Sequence, residues 1–111
     1  ASGERHEQIY NVAWSDDRIL DAQGRLPPVG NTVDVATATW TNSIGSPELM
    51  AVWKDPDFDP EVSAVYYARV LEIPTPRWST HDAARYGTSI PPDAPTSTQE
   101  RAYTSAIWYT P

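Results

Sequence analysis

The sequence predicts a mainly β chain: an antiparallel β-sandwich or partial barrel with one long Pro-rich excursion that has room for a single short helix. Three observations carry that expectation. Five short runs alternate between two faces and favour aromatic or β-branched residues, the pattern of half-buried strands. Eleven Pro in 111 residues punctuate these runs, clustering at 27–28, 47, 56 and 60, 74 and 76, 91–92 and 95, and 111. That is about twice ordinary usage. No Pro-free stretch that could hold a long helix shows helical periodicity.

The first run is Gln8–Trp14, with Tyr10, Val12 and Trp14 on one face. Asp21-Ala22-Gln23-Gly24 follows as a turn, Asp suiting its first position and Gly its last. Thr32–Thr41 is the second strand, and Glu48–Trp53 the third. Glu48, Leu49, Met50 and Ala51 also favour helix, and Pro47 suits a helix start. Ser63–Ile73 is the strongest signal, stopped by Pro74 and Pro76, which cannot donate to a ladder. On it Tyr66, Ala68 and Val70 are expected to face the core. Arg101–Tyr109 is the last strand. Between these two, Pro74–Glu100 is too long for a plain hairpin loop, and Thr80–Tyr86 is its candidate helix, with Ser79 or Thr80 as N-cap.

One domain over residues 1–111 is expected. A compact chain of this size exposes about 6,000 Å², against about 18,000 Å² unfolded, so roughly two-thirds of the surface is available for burial in one core. The chain begins Ala1-Ser2-Gly3-Glu4 without Met or an apolar leader, and ends abruptly on Trp108-Tyr109-Thr110-Pro111. A piece cut from a longer polypeptide is therefore expected. The compartment stays open; a signal peptide on the parent would make it periplasmic or secreted.

Composition excludes several functions. Eight Lys and Arg against fifteen Asp and Glu give a net charge of −7, which disfavours nucleic acid and anionic membrane as partners. No apolar run approaches bilayer length, so membrane insertion is not expected. No Cys means no disulfide, thiolate metal site or thiol nucleophile.

Asp55-Pro56-Asp57-Phe58-Asp59-Pro60 has the carboxylate spacing that opens a calcium-binding helix–loop–helix motif. It has Pro60 where the sharp turn needs Gly and Tyr66 where a bidentate Glu belongs. A rigid acidic surface loop is the better reading. His6-Glu7 and His81-Asp82 hold the only histidines, too few for a zinc shell. Neither a nucleophile elbow nor a phosphate-cradling Gly loop is encoded. No catalytic residue, metal site or cofactor is expected in these residues. Trp14, Trp40, Trp53, Trp78 and Trp108, with the tyrosines, serve either as core or interface, or as a sugar-stacking platform. The excursion carries Arg77, Trp78, His81 and Arg85, a local basic spot expected to contact a parent domain or its ligand. The plainer alternative pairs both Arg with Asp82 or Asp93.

Several blocks then follow one another in order: Ile9-Tyr10-Asn11-Val12-Ala13-Trp14-Ser15, Leu26-Pro27-Pro28-Val29-Gly30-Asn31-Thr32-Val33-Asp34, Trp53-Lys54-Asp55-Pro56-Asp57-Phe58-Asp59-Pro60, Tyr66-Tyr67-Ala68-Arg69-Val70-Leu71-Glu72-Ile73-Pro74-Thr75-Pro76-Arg77-Trp78 and Gln99-Glu100-Arg101-Ala102-Tyr103-Thr104-Ser105-Ala106-Ile107-Trp108-Tyr109. Over essentially its whole length the chain resembles the carboxy-terminal segment of the bacterial family named domain of unknown function 3604. Ala106 departs from the Pro of that family's Thr-Ser-Pro-Ile-Trp pattern, which loosens the edge-strand reading of the last segment. The resemblance implies a parent several hundred residues long, related to metal-dependent hydrolases of the polymerase-and-histidinol-phosphatase type. Its metal ligands would lie upstream, and none maps onto these positions. Three readings follow: a non-catalytic accessory or structural domain whose partner is the upstream domain of the same polypeptide; a carbohydrate- or other ligand-binding β-sandwich module; or a segment whose loops complete an upstream active site.

Overall fold

In the computed structural model, which describes residues 5–111, all regular structure falls in the last half of the chain. The elements are β1 (Ala64–Tyr66), β2 (Arg69–Leu71), β3 (Thr75–Pro76), α1 (Trp78–Tyr86), β4 (Ser97–Thr98), β5 (Arg101–Tyr103) and β6 (Ile107–Tyr109). As expected, the regular structure is mainly antiparallel strand with one short helix in the Pro-rich excursion. The strands form three two-stranded sheets, β1–β6, β2–β5 and β3–β4, none closed into a barrel.

The three pairs are successive stretches of one ribbon. The register runs Ala64↔Tyr109 to Tyr66↔Ile107, then Arg69↔Tyr103 to Leu71↔Arg101, then Thr75↔Thr98 and Pro76↔Ser97. At the first interruption residues 67–68 lie opposite 104–106; at the second, 72–74 lie opposite 99–100. Each is a bulge, and the extra residue changes strand in between. Pairing continues across both. Ala68 N–H donates to Thr104 Oγ1 at 2.9 Å, and Thr104 N–H to the Ala68 carbonyl at 3.0 Å. Glu72 N–H donates to the Glu100 carbonyl at 3.0 Å, and Arg77 N–H to that of Thr96 at 3.0 Å. Thirteen-residue arms at about 3.3 Å per residue make a ribbon roughly 40 Å long, consistent with a longest molecular dimension of 60 Å.

The helix sits at the ribbon's tip. Pro74 and Pro76 end the strand, and the nine residues after Arg77 lack Pro and Gly. Gly87 stops it in the left-handed region at φ 64°, its N–H bonded to the Ala83 carbonyl. The start is two residues earlier than expected: Arg77, extended, is the N-cap, and no side chain caps the helix. Thr80 is instead fully buried, its hydroxyl donating to the Thr96 carbonyl at 2.6 Å. This bond ties α1 to the returning strand.

The three N-terminal runs are not strands. Gln8–Trp14 forms no ladder, and is fastened by side chains: Trp14 Nε1 donates to the Arg18 carbonyl and Asn11 Nδ2 to that of Gly24. Thr32–Thr41 folds back on itself through the Asp34↔Thr39 bridge, with Ala38 at φ 52°. The Asp34 carboxylate accepts the Ala36 N–H, and this local acceptor competes with a ladder. Glu48–Trp53 is irregular, with Val52 fully exposed. Asp21–Gly24 is a turn as expected, closed by Gly24 N–H to the Asp21 carbonyl at 2.9 Å.

Burial departs furthest from expectation. Among the described residues only Ser15, Ala38, Pro76 and Thr80 are buried. Val70, expected in the core, is 55% exposed, and every residue of β2 and β5 is exposed. The accessible surface is 9252 Å², about 3,000 Å² above that of a compact chain of this mass. The radius of gyration is 18.9 Å, against about 13 Å for a compact domain of this length. A two-stranded ribbon has no second layer to cover it.

Candidate functional site

Alternation along the ribbon, with partners side by side, sorts its residues onto two faces. One face holds Ala64, Tyr66, Ala68, Val70 and Glu72, opposite Tyr109, Ile107, Ala102 and Glu100. At the β1–β6 end the acidic loop covers it. Tyr66 Oη donates to Asp55 Oδ2 at 2.7 Å, Tyr109 Oη to the Pro60 carbonyl at 2.9 Å, and the Phe58 ring meets Tyr109 edge-on at 5.0 Å. Trp53 bridges Tyr66 and Tyr10, at ring separations of 6.3 and 5.0 Å. Tyr10 Oη donates to Asp57 Oδ2 at 2.6 Å.

The acidic loop is thus a tyrosine-clasped brace. Asp55 Oδ1 also accepts the Asp57 N–H and Asp59 Oδ1 the Glu61 N–H, so its carboxylates bind their own chain. Donating to Asp57 pushes the Tyr10 hydroxyl up to about 12, with burial and the nearby carboxylates adding to the effect. The Asp55 bond likewise raises Tyr66. Among the described residues no three His, Asp or Glu side chains group as metal ligands.

The other face carries Val65, Tyr67, Arg69 and Leu71 opposite Trp108, Tyr103 and Arg101, and nothing in the described chain covers it. Tyr67, Tyr103 and Trp108 are 57%, 58% and 75% exposed. The Tyr67 and Tyr103 rings stand 6.2 Å apart across the strands. This surface was not singled out from the sequence. Its signal was the odd-numbered series Val65, Tyr67, Arg69 and Leu71, which carries four large side chains where the even series Ala64, Tyr66, Ala68 and Val70 carries two.

The excursion residues are brought together only in part. Trp78, His81 and Arg85 share the exposed side of α1, one turn apart, while Ser79, Thr80 and Ala83 turn inward. Arg77 lies at the helix start. An open groove of about 460 Å³, lined by Thr75, Pro76, Arg77, Trp78, Thr98 and Glu100, takes Arg77 and Trp78 but neither His81 nor Arg85. Neither Arg pairs with Asp82 or Asp93. The ion pair of the described residues is Asp21–Arg25 at 2.8 Å, while the Arg85 guanidinium rests 5.6 Å from the Tyr86 ring centre. The four ring pairs in contact among the described residues are tilted or edge-on, and none joins two Trp.

Fold and surface together define a strand-rich chain built on one ribbon, braced at one end, with exposed aromatic and Arg side chains. No described helix is long and apolar enough to cross a membrane. The model of the family described as "Protein of unknown function (DUF3604)" matches residues 1–111, and the chain belongs to that family. No curated protein and no solved structure matches it.

Proposed function

We propose that this chain is a non-catalytic accessory segment that packs against the remainder of a longer bacterial polypeptide, as its carboxy-terminal part. The single observation that supports the reading is the uncovered surface. A stable standard interface takes about 800 Å² from each partner, and the excess here is several times larger. Among the described residues twenty large apolar side chains are exposed, far beyond the scattered exposure of a finished monomer. On this reading Arg77, Trp78, His81 and Arg85 belong to the contact with the upstream domain, and the metal-dependent hydrolase chemistry resides in that domain.

The test is a metal-dependent hydrolase screen on the full-length polypeptide and on the 111-residue chain. Turnover by the first and background from the second is expected. Metal-dependent turnover by the chain alone, persisting through repurification, overturns the reading.

A further inference from the structure

The open face of the ribbon differs from the opposite face in charge, and only the opposite face is clasped by the acidic loop, at its β1–β6 end. Both carboxylates of the paired segment, Glu72 and Glu100, fall on the braced face, and both arginines, Arg69 and Arg101, fall on the open one. The register sets Arg69 beside Tyr103 and Arg101 beside Leu71. Neither guanidinium has an acidic partner among the described residues. The rest of the molecule sharpens the contrast. All of the net −7 lies in residues 1–62, where eleven Asp and Glu meet four Arg and Lys; residues 63–111 hold four of each.

Tyr, Trp and Arg are the side chains that dominate binding energy at protein interfaces, and Lys, Glu and Asp are depleted there. The open face has the first three and none of the second. An Arg between exposed rings gains most when a carboxylate reaches it as the rings lose water. Net charge argues against a polyanion as occupant.

We propose that Tyr67, Arg69, Leu71, Arg101, Tyr103 and Trp108 form the docking face of this chain, and that its occupant is an apolar protein surface bordered by carboxylates on the same polypeptide. The inference rests on the packing reading above and names the surface through which the packing occurs. The arginines set orientation, each meeting an acidic side chain at the border, and the rings supply the buried area.

Hydroxyl-radical footprinting of the full-length polypeptide, native and in urea, tests it residue by residue. Tyr67, Tyr103 and Trp108 are expected to label at least about tenfold more slowly in the native protein than their exposure in this chain implies. The pair Arg69→Glu and Arg101→Glu restores their labelling, whereas Arg69→Lys with Arg101→Lys does not. Should the Glu pair fail to fold, the wild-type footprint decides alone. Protection of other apolar residues of the chain, with these three still labelling freely, overturns the docking face and leaves the packing reading standing. Free labelling throughout the chain overturns both. Protection that needs an added oligonucleotide, or that rises with protein concentration, also overturns the proposal, assigning the face to nucleic acid or to a second copy.

Discussion

Thr80 is the most sharply defined joint in the molecule, and Thr80→Val isolates it. The side chain is fully buried and keeps nearly the same volume as Val, so the substitution removes one hydroxyl and little packing. What is lost is the 2.6 Å bond to the Thr96 carbonyl. A hydrogen bond of this kind contributes about 0.5–1.5 kcal/mol net, and the Thr96 carbonyl is not orphaned because it keeps the Arg77 N–H. We expect a cost of about 0.5–1.5 kcal/mol, a factor of roughly 2–13 in the opening equilibrium. Arg77–Thr96 backbone pairing survives, so the effect should concentrate in α1 and the tip of the ribbon. Amide exchange of residues 80–87 is the assay: protection falls by that factor in Thr80→Val and stays near wild type in Thr80→Ser, which retains the hydroxyl. Unchanged protection in Thr80→Val, or equal damage from Thr80→Ser, refutes the assignment of the joint to this bond.

Gly45 lies at φ +80°, and a Cβ there would fall 2.5 Å from Ile73 Cγ2; Gly24, at φ +74°, has nothing within 4 Å. Chemical denaturation should find Gly24→Ala costing about 1–2 kcal/mol from the left-handed backbone alone, and Gly45→Ala more. Equal losses would contradict the contact with Ile73. Val70→Ala should shift stability by less than about 0.5 kcal/mol in the chain alone, because the side chain stands in water. A larger loss in the same denaturation series would mean that Val70 is covered. Ultraviolet titration should show Tyr10 ionising near 12, and Asp57→Asn should return it toward the ordinary tyrosine range. The sign follows from a raised value in the folded state. The brace's contribution is complete below the unfolded value of about 10 and is lost as pH rises through the folded one. A normal Tyr10 midpoint in the native chain excludes the Asp57 bond.

The two arms of the ribbon were legible as strands, because Ser63–Ile73 and Arg101–Tyr109 alternate and Pro follows each, but their pairing with each other was not. The helix was legible for the opposite reason, as a Pro-free run of nine residues ended by Gly87. Its start was misplaced because Ser79 and Thr80 both suit an N-cap, while Arg77 was held extended by pairing with Thr96. Gln8–Trp14 and Thr32–Thr41 have the strand pattern but no partner edge, and a strand needs its neighbour as much as its residues. Asp55–Pro60 was legible as an acidic loop, yet not as a brace, since its tyrosine partners lie up to 49 residues away. The charge difference between the two faces was hidden for a related reason. It exists only once the bulges set which residues stand opposite each other.

The packing claim meets its most direct test in backbone amide exchange across residues 64–76 and 97–109, measured in the full-length polypeptide and in the 111-residue chain. Covering the ribbon should slow exchange there by at least about tenfold, since an exposed two-stranded ribbon opens readily without a layer above it. Identical exchange in the two proteins would mean that the ribbon stays uncovered and would contradict the account.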